Sequence, residues 1–240
     1  MRITEYSNPL TWNPPGMTCD RPISERISDP LPKTASFLGF IGAPGSGKTS
    51  LMMSMLTNPE MYGKVFHHIF FVCPATSRAS IAGDPWKDHN PTKLYDELTP
   101  KVLEFILEFS KVASPEKQHT LLILDDCSAE LKNKEIEKML KRLVWNRRHL
   151  KLTIWIMSQS YVALPLSIRK ALSHCVMFKP RNKKELEVVF SELVFLPREE
   201  QVIITNHIFP EGDESKYGFM FLDTATGHIY KRFNRLEIEN

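Results

Sequence analysis

A chain of 240 residues and 27.7 kDa is long enough for one well-packed α/β domain and short for two. Its 42% hydrophobic and 25% charged residues match ordinary globular composition, which excludes disordered, collagen-like and coiled-coil chains, and no apolar run approaches the ~18 residues of a membrane-spanning helix. The net charge of +3 is uneven: between Lys132 and Lys151 eight Lys/Arg stand against Glu135 and Glu137, a local +6 that leaves −3 for the rest.

Residues 1–33 hold six of the seventeen prolines and no sustained periodicity, so they are expected to form an extended arm ahead of a single domain over 34–240. From there strand-like and helix-like segments alternate, the signature of a mainly parallel sheet with helices on both faces. The apolar runs Ser36–Ile41, His67–Cys73, Thr120–Asp125, Lys151–Ser158 and Cys175–Lys179 predict five strands of one sheet. Between and after them, Lys48–Leu56, Lys101–Val112, Lys134–Arg148, Pro165–Leu172, Lys184–Leu193 and Pro197–His207 predict helices. The alternating runs Tyr217–Leu222 and His228–Phe233, joined by Asp-Thr-Ala-Thr-Gly, predict a C-terminal β-hairpin.

The first residues lack the apolar stretch of a secretory signal, and Cys19, Cys73, Cys127 and Cys175 form no CxxC pair. The expectation is an intracellular soluble protein with free thiols and no zinc site.

The strongest motif is Gly42-Ala43-Pro44-Gly45-Ser46-Gly47-Lys48-Thr49, a complete GxxxxGK[ST] phosphate-binding loop (Walker A), between an apolar strand and a helix that continues with Ser50. Glycines let successive N–H groups point at phosphate oxygens, Lys48 reaches the β and γ phosphates, and the Thr49 hydroxyl can ligate Mg²⁺. A nucleoside triphosphate with Mg²⁺ is therefore the expected ligand.

Thr120-Leu-Leu-Ile-Leu-Asp125-Asp126 runs four apolar residues into paired acids (Walker B). In a parallel sheet the carboxyl strand ends line the ligand crevice, which makes Asp125 the Mg²⁺ partner and Asp126 the candidate for orienting or deprotonating the attacking water. A third strand closes on Ser158-Gln159-Ser160, where an amide could reach both the γ-phosphate and that water. Gln159 is the candidate. The basic segment 132–151 is either a solvated helix face or a surface that contacts phosphates.

These residues resemble the FtsK/HerA superfamily of additional-strand P-loop ATPases, and within it the poxvirus-like genome-packaging ATPases of large DNA viruses. The resemblance covers roughly 36–193. It rests on the loop, Asp125-Asp126, Arg148-His149, Ser158-Gln159-Ser160-Tyr161, Leu164-Pro165, Ile168-Arg169 and Phe178-Lys179. It implies ATP as the cofactor, with Mg²⁺, of a ring of identical subunits that hydrolyses it to translocate double-stranded DNA with little regard to sequence, alongside capsid or portal-vertex proteins in host cytoplasm or virion; no membrane partner is expected, since no apolar run is long enough for an anchor. It also implies an arginine from one subunit completing its neighbour's site, a role that falls on Arg148, then Arg147, then Arg169. Many relatives carry Glu where this chain has Asp126, which leaves the catalytic base open. With Arg148 ten residues before Ser158 and a strand advancing ~3.3 Å per residue, Arg148 is expected roughly 30 Å from its own loop.

Rival classes are a GTPase switch, a small-molecule kinase, a non-hydrolysing nucleotide-bound scaffold and a cellular DNA pump. The first meets Asn182-Lys-Lys-Glu185 in place of NKxD and no DxxG; the second does not call for the Asp-Asp strand end or Gln159. The third is separated only by turnover, and the fourth usually carries a membrane anchor.

Overall fold

The computed structural model describes residues 21–79, 86–210 and 217–237. In chain order these form β1 (Phe37–Ile41), α1 (Lys48–Thr57), β2 (His68–Val72), α2 (Ala75–Ala79), β3 (Leu94–Tyr95), α3 (Pro100–Ala113), β4 (Thr120–Leu124), α4 (Lys134–Asn146), β5 (Leu152–Ser158), α5 (Leu166–Arg169), β6 (His174–Phe178), α6 (Lys183–Leu193), α7 (Arg198–Ile208), β7 (Phe219–Asp223), β8 (Ile229–Lys231) and β9 (Asn234–Leu236). All nine strands join one sheet in the order β3-β2-β4-β5-β1-β6-β7-β8-β9. The first six run parallel, and the last three are added antiparallel beside β6. β5 stands between β1 and β4, so this is the additional-strand form of the P-loop fold.

The physical cause is plain in β1, β4 and β5, where every residue is buried: a parallel strand covered on both faces reads as one apolar run. Alternate residues then separate into two cores. Phe37, Ile41, Leu122, Leu124, Ile154 and Ile156 pack under α3, α4, α6 and α7. Leu38, Phe40, Leu121, Ile123, Trp155 and Met157 pack under α1 with Tyr62. Trp155 meets Phe40 and Tyr62 edge-on at 5.5 and 5.4 Å. Helix starts follow their caps. Thr99 Oγ1 accepts from Val102 N ahead of α3, and Asn133 Oδ1 accepts from Glu135 N and Ile136 N ahead of α4.

Three expectations change. The helix expected over 165–172 is a single turn, α5, because Leu172 is drawn into the core and Ser173 N pairs with Phe37 O to start β6. The helix expected to reach Arg148 stops at Asn146, and Arg147 to Leu150 turn back into β5. The C-terminal hairpin gains a third strand, β9, and extends the main sheet. Residues 1–20 of the expected arm, with Cys19, lie outside the described residues. Residues 21–33 pack on their own chain: Ile27 and Leu31 are buried in the α1-side core, and Pro32 O accepts from the Tyr62 hydroxyl at 2.9 Å. Cys73, Cys127 and Cys175 are free and buried. Among the described residues no helix is long and apolar enough to cross a membrane.

Candidate functional site

The loop after β1 is held open by close packing. Gly42 N donates to Ser158 O at 3.1 Å, tying the loop's first residue to the end of β5. A Cβ on Gly42 would lie 2.7 Å from Phe178 Cβ and 2.6 Å from Ser46 Oγ, so no larger residue fits. Gly47 sits at φ 102° at the start of α1, where a side chain would also meet the Tyr217 ring at 2.8 Å. α1 has no side-chain cap and no acid in its first turn, so its leading N–H groups are left for an anion.

Lys48 Nζ folds back onto the loop and donates to Gly42 O at 2.6 Å and Ala43 O at 3.1 Å. Burial holds its pKa below the ordinary lysine value, with Asp125 and Asp126 pulling the other way. Asp125 follows β4, its N–H bonded to Val72 O at 2.9 Å. Burial pushes its carboxyl up to about 6, Lys48 opposes, and the Asp126 charge adds to the rise. Asp126 turns through φ 56°, a left-handed conformation that Asp tolerates, and accepts from Ser77 Oγ at 2.7 Å. That turn sends Cys127 back beneath β2, its thiol toward Val72 O.

A cavity of about 220 Å³ opens at these strand ends. Pro44, Gly45, Lys48 and Thr49 line it from the loop, Asp125 and Asp126 from β4, and Gln159 from β5. A second cavity, about 290 Å³, takes Gly42, Ala43 and Pro44, and Gln159 lines this one too. Gln159 thus stands between the two. Ser50, Ser46 and Gly47 line neither.

No curated protein matches this chain. A family model described as "Poxvirus A32 protein" matches residues 28–225. The chain belongs to this family. Among solved structures, the genome packaging NTPase B204 from Sulfolobus turreted icosahedral virus 2, in complex with ATP-gammaS, superposes with a TM-score of 0.60 at 17% identity, covering 81% of this chain and 95% of that one. The complex of B204 with AMP gives 0.58 at 16%, covering 85% and 98%. EssC (ATPases 2 and 3) from Geobacillus thermodenitrificans gives 0.53 at 14%, covering 78% of this chain and 37% of that one. At these identities the likeness is one of fold.

The three candidate arginines of this A32-family chain line neither cavity, whereas Arg181 lines the second. Arg148 is at the amino end of β5, across the sheet from the loop, on a cavity of about 500 Å³ shared with Arg21, Lys117, His119, His149 and Lys151. Lys117 and Lys151 both adopt positive φ there, 61° and 46°. Arg147 is half-buried and donates to Val144 O at 2.9 Å. Arg169 is committed within its own chain: Nη2 and Nε meet Glu192 Oε1 and Oε2 at 2.7 and 2.8 Å, a bidentate pair.

Residues not picked out from sequence also belong here. Ser77, on α2, and Ser128 line the cavity with the two acids. Ser77 follows the carboxyl end of β2, a position from which the topology alone would have nominated it.

Proposed function

We propose that this chain is a Mg²⁺-dependent ATPase that moves double-stranded DNA, working as a ring of identical subunits that packages a viral genome. The observation that carries this reading is the convergence of Lys48, Thr49, Asp125, Asp126 and Gln159 on one cavity at the carboxyl ends of β1, β4 and β5. The uncapped N–H groups of α1 would receive phosphate oxygens, and Lys48 would exchange its two loop carbonyls for β and γ oxygens. Thr49 and Asp125 would hold Mg²⁺. They are hard oxygen donors lining one cavity, the ligand type that Mg²⁺ takes beside phosphate and water. Bound there, the ion supplies charge neutralisation for phosphoryl transfer. Asp126, which accepts from Ser77, would take the proton of an attacking water. Gln159, which lines the same cavity, would hydrogen-bond that water and the γ-phosphate together.

Packaging is supported by the A32 family membership and by the likeness to B204, itself described as a genome packaging NTPase and bound to ATP-gammaS in one structure. Arg148 stands at the amino end of β5, the opposite end of the strands from its own loop, so if it acts in hydrolysis it would act on a neighbour's site, as a ring would allow. DNA contact is assigned to the outward face of α4, where Lys134, Lys138 and Arg142 are exposed and Trp145 is 68% exposed, whereas Lys141 pairs with Glu137 at 2.9 Å. Capsid or portal-vertex proteins would be further partners, in host cytoplasm or virion. The test is ATP turnover with and without double-stranded DNA. DNA should stimulate it, and Lys48→Ala should abolish it. A Lys48→Ala rate within about threefold of wild type would remove the loop from the chemistry.

A further inference from the structure

Gln159 is the part of the site with the least support of its own. It is exposed, follows the last residue of β5, and carries a long flexible side chain. Ser158 Oγ closes the turn beneath it by donating to Ser160 O at 2.7 Å. What fixes the next residues comes from α6. Glu185 Oε1 accepts from Ser160 Oγ at 2.7 Å and from the Tyr161 backbone N–H at 2.5 Å. Two helical turns further along α6, Glu192 accepts from the Tyr161 hydroxyl at 3.0 Å and holds Arg169 in its bidentate pair. The buried Tyr161 is therefore gripped at its backbone and at the tip of its ring by one face of one helix.

Glu185 would ordinarily serve its own helix. Asn182 is the N-cap of α6, its Oδ1 accepting from Lys184 N at 2.9 Å, and Glu185 three residues on occupies the position from which a capping-box carboxylate turns back to the cap's N–H. Here it turns outward to the loop instead. It also lines the 290 Å³ cavity together with Gly42, Ala43, Pro44 and Gln159.

We propose that α6 braces the site, and that Glu185 is the positioning residue that sets Gln159 against the γ-phosphate and attacking water. This rests on the role given to Gln159 above. Glu185 would act through the chain, by fixing Ser160 and Tyr161, the residues that follow Gln159.

The test compares Glu185→Ala, Glu185→Gln, Ser160→Ala, Gln159→Ala and the double variant Gln159→Ala/Glu185→Ala, read by kcat, KM for ATP, ATPγS affinity and Tm. Glu185→Ala should lower kcat ~10-fold or more with nucleotide affinity held within about threefold, since a misaimed group costs the transition state and not ground-state binding. Glu185→Gln keeps an acceptor oxygen and should recover kcat to within about threefold of wild type. The double variant should be no slower than Gln159→Ala alone, because both changes remove one unit. If Glu185→Ala does not fold, Ser160→Ala, which removes one donor and leaves the Tyr161 amide, should still lower kcat without raising KM. Unchanged kcat in Glu185→Ala or Ser160→Ala, or a double variant slowed by the product of the two single effects, overturns the proposal. Wild-type turnover in Gln159→Ala overturns the reading of Gln159 itself, and a slow Glu185→Ala beside it would move the role of Glu185 elsewhere.

Discussion

Gly42→Ala tests the site's architecture through one methyl group. The new Cβ would lie 2.7 Å from Phe178 Cβ and 2.6 Å from Ser46 Oγ. Carbon atoms pack at about 3.5–4.0 Å, so the first contact falls short by about 1 Å. Phe178 cannot swing its Cβ aside, because that atom is fixed to β6, whose neighbours pair with β1 at Ile41↔Met177 and Phe40↔Val176. The loop must move instead. Overpacking of this kind costs about 1–3 kcal/mol, which lowers Tm by about 2–12 °C for a domain of this size. Turnover should fall further, on the order of 10²-fold, because Gly42 O holds Lys48 Nζ and an ångström of displacement carries the lysine and α1's N–H groups off the phosphates. Calorimetry and steady-state hydrolysis on one preparation separate the two effects. A variant that loses stability yet hydrolyses ATP at the wild-type rate would show that the close approach at Gly42 does not define the active loop.

Asp125→Asn should lose Mg²⁺-dependent turnover, whereas Asp126→Asn should bind nucleotide normally and hydrolyse slowly; a normal rate in Asp126→Asn assigns the base elsewhere. Replacing Lys134, Lys138 and Arg142 with Ala should flatten the salt dependence of DNA binding by ~0.9 in slope per lost phosphate contact, and an unchanged slope returns α4 to a solvated face. Burial holds His119 at about 4, below the ordinary histidine value, with Lys151 adding to the effect, and burial lowers His174 in the same direction against the opposing charge of Asp223. Folding therefore favours their neutral forms, and the stability they contribute is complete above about pH 6.5 and is lost as pH falls toward about 4. Tm scans should show that decline, and His119→Asn/His174→Asn should flatten it between about pH 6.5 and 5. A double variant with the same slope as wild type would contradict these assignments.

Much of this was legible because parallel strands buried on both faces announce themselves as apolar runs, and their carboxyl ends then place Asp125, Asp126 and Gln159 without further information. The short edge strands were not legible. β3 has two residues, and Asn234–Leu236 of β9 is polar and mostly exposed, so neither has a period to read. The prolines of 21–33 disguised the buried Ile27 and Leu31, because their packing partners lie on the α1 side of the sheet. Arg169 looked available until its pairing with Glu192, 23 residues away, came into view. Asn182-Lys-Lys-Glu185 read as a failed base-recognition motif, when its glutamate is tied across space to Ser160 and Tyr161. Local pattern determines elements; long-range polar pairs become visible only after the chain has closed.

The claim that hydrolysis is shared between subunits is tested most directly by mixing two inactive variants. Lys48→Ala lacks the phosphate cation but keeps Arg148, and Arg148→Ala keeps the loop and should bind ATP as wild type does. In a mixed assembly some interfaces pair an intact loop with an intact arginine, so ATP turnover should reappear, rising and falling with the mixing ratio. A mixture that co-assembles and stays inactive, or Arg148→Ala subunits that hydrolyse ATP at the full rate, would contradict a site built from two chains.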